Sequence, residues 1–474
     1  MNLTLSLGIS GGTAKKRKVR DGVVDDVGDG GDRGRVMRLL QARERMMARL
    51  EFDDPRAAPD DDGASGGGGL RLMHLLLSSV AAGEAGDAQA AAAALQEVYR
   101  HASFGGGDPA QRVAAYFADA LASRLFRSPV AASPPTSRTE LLLAYTMFYQ
   151  ASPFYQFAHF TANQVIVEAF EDGGRRRLHV VDFDVSYGFQ WPSLIQSLSD
   201  AAGTSTSSSH EIGDCDERVS LRITGFGTSA DELRQTEARL TRFASGCPNL
   251  LFEFEGVLNG PNSVRHDRIK TDDATVVVNL VFPAAQNSRT SSREACSALA
   301  RIDSLNPSLV FLVEKDEGGC SGLTGGNATS RRRSSLLPRF TATLRYFAAV
   351  FDSLHECLPA DSTERLAIER DHLGREISNA MAPLDRHRGD DHMAAESSGS
   401  ASWKETMESA GFEVVKLSSR TVSQAKLLLK MKSGCGGGDG GFRVIEGDGG
   451  RAMSLGWRDS ALLTATGWQR RPRG

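Results

Sequence analysis

No stretch of this chain approaches the roughly 20 consecutive apolar residues that a helix needs to cross a bilayer, so a membrane-spanning protein is not expected. The N-terminus, MNLTLSLGIS, lacks a basic start and carries only a short apolar stretch, which argues against a secretory signal. Cysteine is sparse and scattered: Cys215, Cys247, Cys296, Cys320, Cys357 and Cys435 form no C-x-x-C pair, and none has a histidine at metal-ligand spacing. A zinc site is therefore not expected, and the pattern fits a reducing compartment. No strong charge of either sign is present; the net charge of −4 gives the chain no general pull on DNA, so any nucleic-acid contact must come from local basic patches. H-E-x-x-H and the phosphate-binding G-x-x-x-x-G-K-[ST] are missing, and no internal repeat is seen. The chain reads as soluble and intracellular, and its 474 residues are 40% hydrophobic, enough to fill a sizeable core.

Residues 1–69 are dominated by Gly, Asp and Arg and close on Pro59-Asp60-Asp61-Asp62 and a run of four glycines. Such a composition cannot bury enough apolar surface to offset the entropy of ordering, which predicts a disordered N-terminal arm. Within it, Lys15, Lys16, Arg17, Lys18 and Arg20 form a compact basic cluster of the kind import receptors hold extended. Further on, Arg35, Arg38, Arg43, Arg45 and Arg49 surround Val36, Leu39, Leu40, Met46, Met47 and Leu50, which reads as a transient basic helix over 34–52 without an assigned role.

From Leu70 the periodicity becomes helical. Leu72, Leu75, Leu76 and Val80 share one face, Asp87 caps an Ala-rich helix, and Asp108-Pro109 places an N-cap before a proline at the first helical position. Helices around 141–149 and from Ser152-Pro153 to about Glu171 complete a mainly helical cap over 70–175. From 176 to 474 strands and helices alternate. Strand-like runs at 178–184, 219–226, 250–256, 274–282 and 308–314 predict a parallel sheet with right-handed crossovers. Ser229 with Glu232 reads as a capping box, two long helices are expected at 334–358 and 362–381, and C-terminal strands at 412–417, 442–446, 452–457 and 462–468 are expected to complete the sheet.

In a doubly wound sheet the ligand sits beyond the carboxyl end of the first strand. Here that turn reads Asp182-Phe183-Asp184-Val185-Ser186-Tyr187-Gly188. An S-adenosylmethionine or dinucleotide site needs glycines there so that backbone approaches the cofactor closely. Aligned on Asp182, two of those glycine positions hold Asp184 and Ser186, and only Gly188 remains. The next strand ends in Arg222-Ile223-Thr224-Gly225-Phe226, without the carboxylate that would accept ribose hydroxyls. No cofactor, metal or catalytic residue is therefore expected. Asp182 and Asp184, alternating along a strand, are read as pointing to opposite faces and so poorly placed as an acid–base pair. His179 is read as a hydrogen-bonded histidine, not a ligand.

These residues resemble the GRAS family of plant regulators. Leu178, His179, Val180, Val181 and Asp182 are similar to its V-H-I-I-D motif, and Gln190-Trp191-Pro192 continues the pattern. Residues 70–126 look like its first leucine-rich region, and 194–251 like its second. Arg222-Ile223-Thr224-Gly225 resembles its R-I-T-G strand. Asn306-Pro307, Arg339-Phe340, Tyr346-Phe347, Phe351-Asp352-Ser353-Leu354 and Leu373-Gly374-Arg375-Glu376-Ile377 resemble its P-F-Y-R-E region. Trp403, Gly411-Phe412, Leu455-Gly456-Trp457 and Trp468 resemble its S-A-W region, although the closing triplet reads Thr466-Gly467-Trp468. The resemblance covers 70–474, with Val181 to Asp184 and Asn249 to Phe254 most like the nodulation signalling pathway 2 and scarecrow-like branch. It implies an α/β fold with a Rossmann-like, methyltransferase-type sheet under an all-helical cap. It also implies nuclear location, homo- or heterodimers with other GRAS proteins, and transcriptional regulation without catalysis, through transcription factors or coregulators and promoter DNA, contacted directly or indirectly. The competing readings are an S-adenosylmethionine-dependent methyltransferase and an adaptor that never touches DNA.

Leu72, Leu75 and Leu76 fit an L-x-x-L-L partner motif but equally one face of a packed helix. Val113, Phe117, Leu121 and Leu125 fit either a partner groove or the cap's own core, the resemblance favouring interface use. Trp191, Trp457 and Trp468 read as structural anchors, and the triplets Arg175–Arg177 and Arg331–Arg333 as solvated loops or phosphate contacts. If the basic cluster directs import, replacing Lys15, Lys16, Arg17 and Lys18 with alanine moves a fluorescent fusion out of the nucleus; unchanged nuclear accumulation removes that role.

Overall fold

A computed structural model of the chain describes residues 29–52, 67–126, 137–205, 218–259, 273–283, 292–316, 336–381, 403–432 and 441–471. The Lys15–Arg20 cluster and the Arg331–Arg333 triplet lie outside these residues. Among the described residues no helix is long and apolar enough to cross a membrane, and no group of three or more His, Cys, Asp or Glu is placed to hold a metal ion.

Among the described residues six helices precede the first strand: α1 (Asp29–Phe52), α2 (Gly67–Ala85), α3 (Ala88–His101), α4 (Pro109–Leu125), α5 (Arg138–Ala151) and α6 (Pro153–Gly173). Their starts follow local chemistry. Asp108 and Gln111 satisfy each other's backbone N–H groups in a reciprocal box, as do Ser137 and Glu140, and such a cap contributes about 1 kcal/mol. Gly174, at φ 60°, ends α6 in the left-handed conformation.

The helix α1 corrects the expectation of a transient segment. Leu39 and Met46 are fully buried, and the Arg43 guanidinium donates to both oxygens of Asp119 at 3.0 Å, where Tyr99 Oη also donates at 2.8 Å. The seven-residue spacing of Leu39 and Met46 puts both on the side that meets α3, a stripe that the Gly- and Asp-rich surroundings obscure in the sequence.

Then β1 (Arg177–Asp182), α7 (Trp191–Ser205), β2 (Val219–Gly227), α8 (Ala230–Ala244), β3 (Leu250–Leu258), β4 (Thr275–Val281), α9 (Ser292–Ser304) and β5 (Leu309–Lys315) alternate. They are followed by α10 (Leu336–Cys357) and by a run from α11 (Thr363–Ala367) to α12 (Gly374–Met381) with a π-helical turn at Ile368–Leu373 between them, so the single helix expected over 362–381 is wound differently at its centre. Last come α13 (Trp403–Ser409), β6 (Phe412–Val415), α14 (Ser419–Lys432), β7 (Phe442–Gly447), β8 (Ala452–Trp457) and β9 (Ser460–Arg470). At α8 only half of the expected capping box forms. Ser229 accepts the Glu232 N–H, while the Glu232 carboxylate pairs with Arg138 of α5 at 2.6 Å.

The strands form one sheet in the order β3-β2-β1-β4-β5-β9-β8-β7. The first five are parallel, and β9 joins β5 antiparallel, pairing along its other edge with β8 and then with β6. All seven residues of β4 are buried, as a central parallel strand covered on both faces requires. Val277, Val281, Phe311 and Val313 face the core shared with the cap, whereas Val276, Val278, Val310 and Leu312 face Leu299 and Ile302 of α9, Trp403 and Met407 of α13, and Trp468.

The proposed partner stripe lies inside this core. Val113, Phe117, Leu121, Leu72 and Leu76 are at most 2% exposed and Leu75 is half-buried. Phe117 packs edge-on against Phe340 and Phe347 of α10, at 5.5 and 6.0 Å. These side chains hold the cap together and offer little surface to a partner, which corrects the interface reading. Trp457 donates its indole N–H to Asp352 at 2.7 Å, Trp468 donates to Thr466 at 2.8 Å, and Trp191 is wholly buried.

Candidate functional site

The strand order reverses direction between β1 and β4, the switch point at which open α/β sheets leave a crevice beyond the carboxyl ends of their strands. Leu178, His179, Val180, Val181 and Asp182 of β1 lead there, all of them buried. His179 Nε2 lies 2.9 Å from Thr224 Oγ1 on β2, a hydrogen bond within the sheet that is remote from any ligand role.

At the end of β1 a chain of buried amides takes over. Asn279 of β4 donates to Asp182 Oδ1 at 3.3 Å and to Gln190 Oε1 at 3.2 Å. Gln190 returns a hydrogen bond to Asn279 Oδ1 at 3.2 Å and donates to Asn163 Oδ1 of α6 at 3.1 Å. Asn163 closes the relay by donating to the Gln190 carbonyl at 2.9 Å. Each of the four is at most 7% exposed, and buried amides left unpaired cost about 1–3 kcal/mol apiece, so the relay ties the cap helix α6 to the sheet.

The turn that follows Asp182 folds down over β2. Val185 donates its N–H to the Phe226 carbonyl at 2.9 Å, and a Cβ placed on Gly225 would come within 3.0 Å of the Val185 side chain. Phe183 stacks on Phe226 at 5.2 Å. Gly188 adopts φ 69°, and a Cβ there would meet Thr236 of α8 at 2.7 Å, which is why this one glycine of the turn is kept. Side chains thus occupy the place over the end of β2 where an adenosine would lie. A cofactor of the S-adenosylmethionine type does not fit these residues.

Toward β4 and β5 the crevice stays open. A cavity of about 240 Å³ lies beneath the cap, lined by Leu141, Tyr145, Tyr155 and His159 of α5 and α6, by the turn from Asp182 to Gln190, by Phe282 and Lys315 beyond and at the ends of β4 and β5, and by Asp371, His372, Arg375, Glu376 and Asn379. The last five recur at helical spacing through the π turn into α12, which puts them on one side of that helix. Tyr155 Oη and His372 Nε2 are 2.6 Å apart, and Lys315 Nζ donates to Glu376 Oε1 at 2.6 Å. Burial raises the Glu376 carboxyl, but the Lys315 ammonium outweighs it and holds the group below its usual range. Burial pushes His159 down to about 3 and keeps it neutral.

Asp182 and Asp184 both line this cavity, against the expectation that they diverge: β1 ends at Asp182, and the chain turns at Asp184 before Ser186 takes φ 45°. Burial, then the neighbouring Asp184 charge, pushes the Asp182 carboxyl up to about 7; burial lifts Asp184 to about 6. The sequence reading missed Tyr145, Tyr155, His159, Lys315, His372 and Glu376 as neighbours of this turn. Only the four-residue spacing of His372 and Glu376 hints at a shared face, and nothing local links them to Asp182.

Comparison with known proteins follows the same boundaries. Residues 72–469 match the model of the GRAS domain family. Scarecrow-like protein 23 of Arabidopsis thaliana is 33% identical over 395 residues, which cover 80% of this chain and 84% of that protein. Protein SCARECROW of Ipomoea nil is 32% identical over 77% of this chain, and the match spans 42% of that longer relative. The crystal structure of SCL7 in Oryza sativa aligns with a TM-score of 0.64 at 31% identity, covering 84% of this chain and 99% of that one.

The raised Asp182 pKa carries a stability consequence. A carboxyl that titrates higher in the folded than in the unfolded chain contributes stability that is complete below its ordinary 3.8 and is lost as pH rises through about 7. Asp182→Asn keeps the hydrogen-bond acceptor without the charge. Urea unfolding is expected to show the variant equal to the parent near pH 4 and more stable by about 1–3 kcal/mol at pH 8. A variant that is less stable at pH 8 means that the ionised carboxylate is the form the fold requires.

Proposed function

The chain belongs to the GRAS domain family, and from that premise we propose that it is a non-enzymatic plant regulator of transcription that acts in the nucleus. It works through contacts with other GRAS proteins as homo- or heterodimers, and with transcription factors or coregulators. Promoter DNA is reached directly or through those partners. The observation that supports this reading is the turn after β1: Val185 and Phe183 lie over the end of β2, where we read them as filling the place an adenosine would take. We read the scaffold itself as Rossmann-like and of methyltransferase type, five parallel strands with β9 added antiparallel to β5.

With the leucine stripes of α2 and α4 buried, partner contact falls to exposed apolar side chains. Phe243, Leu251 and Leu258 are 41%, 39% and 44% exposed, and the last two sit on β3, an edge strand of the sheet among the described residues. An exposed edge offers backbone hydrogen bonds to a partner strand.

The competing reading, an S-adenosylmethionine-dependent methyltransferase, rests on strand order and the position of Asp182. Titration calorimetry of the full chain with S-adenosylmethionine separates the two. No heat of binding is expected with the cofactor at millimolar concentration, and a micromolar Kd overturns the regulator reading.

A further inference from the structure

The lining of the cavity beneath the cap is uneven in charge. Its basic side chains are Lys315, engaged by Glu376, and Arg375, which is exposed. Its acidic side chains are Asp182, Asp184, Asp371 and Glu376; Asp371 is bound by Arg370 at 2.7 Å, and no cation among the described residues lies within ion-pair distance of Asp182 or Asp184. Asp184 accepts one hydrogen bond, from the Ser186 N–H to Oδ1 at 3.2 Å, and its Oδ2 accepts none among the described residues.

A second observation points the same way. His159, 8% exposed and part of the same lining, has a buried Nδ1 with no hydrogen-bond partner among the described residues. A buried polar atom of this kind is normally satisfied by water or a ligand. Around these groups stand aromatic rings. Tyr145 packs at 4.5 Å from Tyr155, 5.1 Å from Tyr187 and 5.4 Å from Phe189, and all four line the cavity. Ring faces beside carboxylates without a counter-ion are the surroundings that stabilise an organic cation. The volume, about 240 Å³, is below the roughly 300–1,000 Å³ of pockets for drug-sized ligands, so the occupant is small.

We propose that the cavity beneath the cap binds a small organic amine as its ammonium ion, with the charge on Asp182 and Asp184, the carbon skeleton against Tyr145, Tyr155 and Tyr187, and the neutral imidazole of His159 beside them. Because the lining joins α5, α6, the π turn and α12 to the sheet, such a ligand bridges cap and core and favours their association.

The test uses the full chain and matched probes: phenethylamine, choline and putrescine as amines, phenethyl alcohol as a neutral counterpart and phenylacetate as an anion, each titrated by calorimetry. At least one amine is expected to bind saturably with a Kd of about 1 mM or tighter. Phenethyl alcohol and phenylacetate are each expected to bind at least about tenfold more weakly than that amine. Asp184→Asn should weaken the amine about tenfold with the melting temperature of the free protein not lowered, and Leu141→Trp, which fills the cavity from α5, should abolish binding. If Asp184→Asn does not fold, the Leu141→Trp result decides. Failure of all three amines, equal binding of the alcohol or the anion, or an affinity that Leu141→Trp leaves unchanged overturns the proposal.

Discussion

Four buried polar side chains, Asp182, Asn279, Gln190 and Asn163, set the geometry on which the rest of this molecule depends. Each is at most 7% exposed, so its hydrogen bonds depend on partners within the protein. Asn279 and Gln190 exchange hydrogen bonds, Asp182 holds one end and Asn163 the other, and the relay therefore runs from β1 through β4 to the cap. The segment between Asp182 and Gln190 has both ends fixed and must close a short loop between them. It does so with two residues at positive φ, Ser186 and Gly188, and by laying Phe183 and Val185 on β2. The family motif is thus read here as a structural device: an aspartate and a glutamine eight residues apart that meet the same asparagine.

Two further consequences follow from that closure. The half of the crevice over β2 is filled by side chains, while the half over β4 and β5 stays open and is roofed by α5, α6 and the π-wound run into α12. The roof brings its own charged groups, of which Glu376 is neutralised by Lys315 and Glu369 is bound by Arg112 at 3.0 Å with both fully buried. Breaking one partner from a buried pair such as Arg112 and Glu369 costs about 3–5 kcal/mol, so α4 is held to the π turn by charge and to α10 by the Phe117, Phe340 and Phe347 cluster.

Much of this architecture is legible in the sequence. The strand runs and most helix starts are local signals, and Asp108-Pro109, Ser152-Pro153 and the apolar run of β4 appear where periodicity and capping put them. The failures share a cause, namely contacts between residues far apart in the chain. Leu39 and Met46 look too few to order a Gly- and Asp-rich arm until Asp119 and Tyr99 are brought beside Arg43. Val113 and Phe117 look like a partner stripe until α10, more than two hundred residues later, covers them. Asp182 and Asp184 look divergent only while the strand is assumed to continue past Asp182. Glu232 looks like half of a capping box because Arg138, its partner, is nearly a hundred residues away.

The relay itself is open to direct measurement by a double-mutant cycle on Gln190 and Asn279, with stability read from urea unfolding. Gln190→Ala leaves the Asn279 amide with Asp182 alone, Asn279→Ala leaves the Gln190 amide with Asn163 alone, and each is expected to cost about 1–3 kcal/mol. The double variant should then cost less than their sum by at least about 0.5 kcal/mol. Additive losses, or single losses too small to resolve, would mean that cap and sheet are joined by something other than these amides.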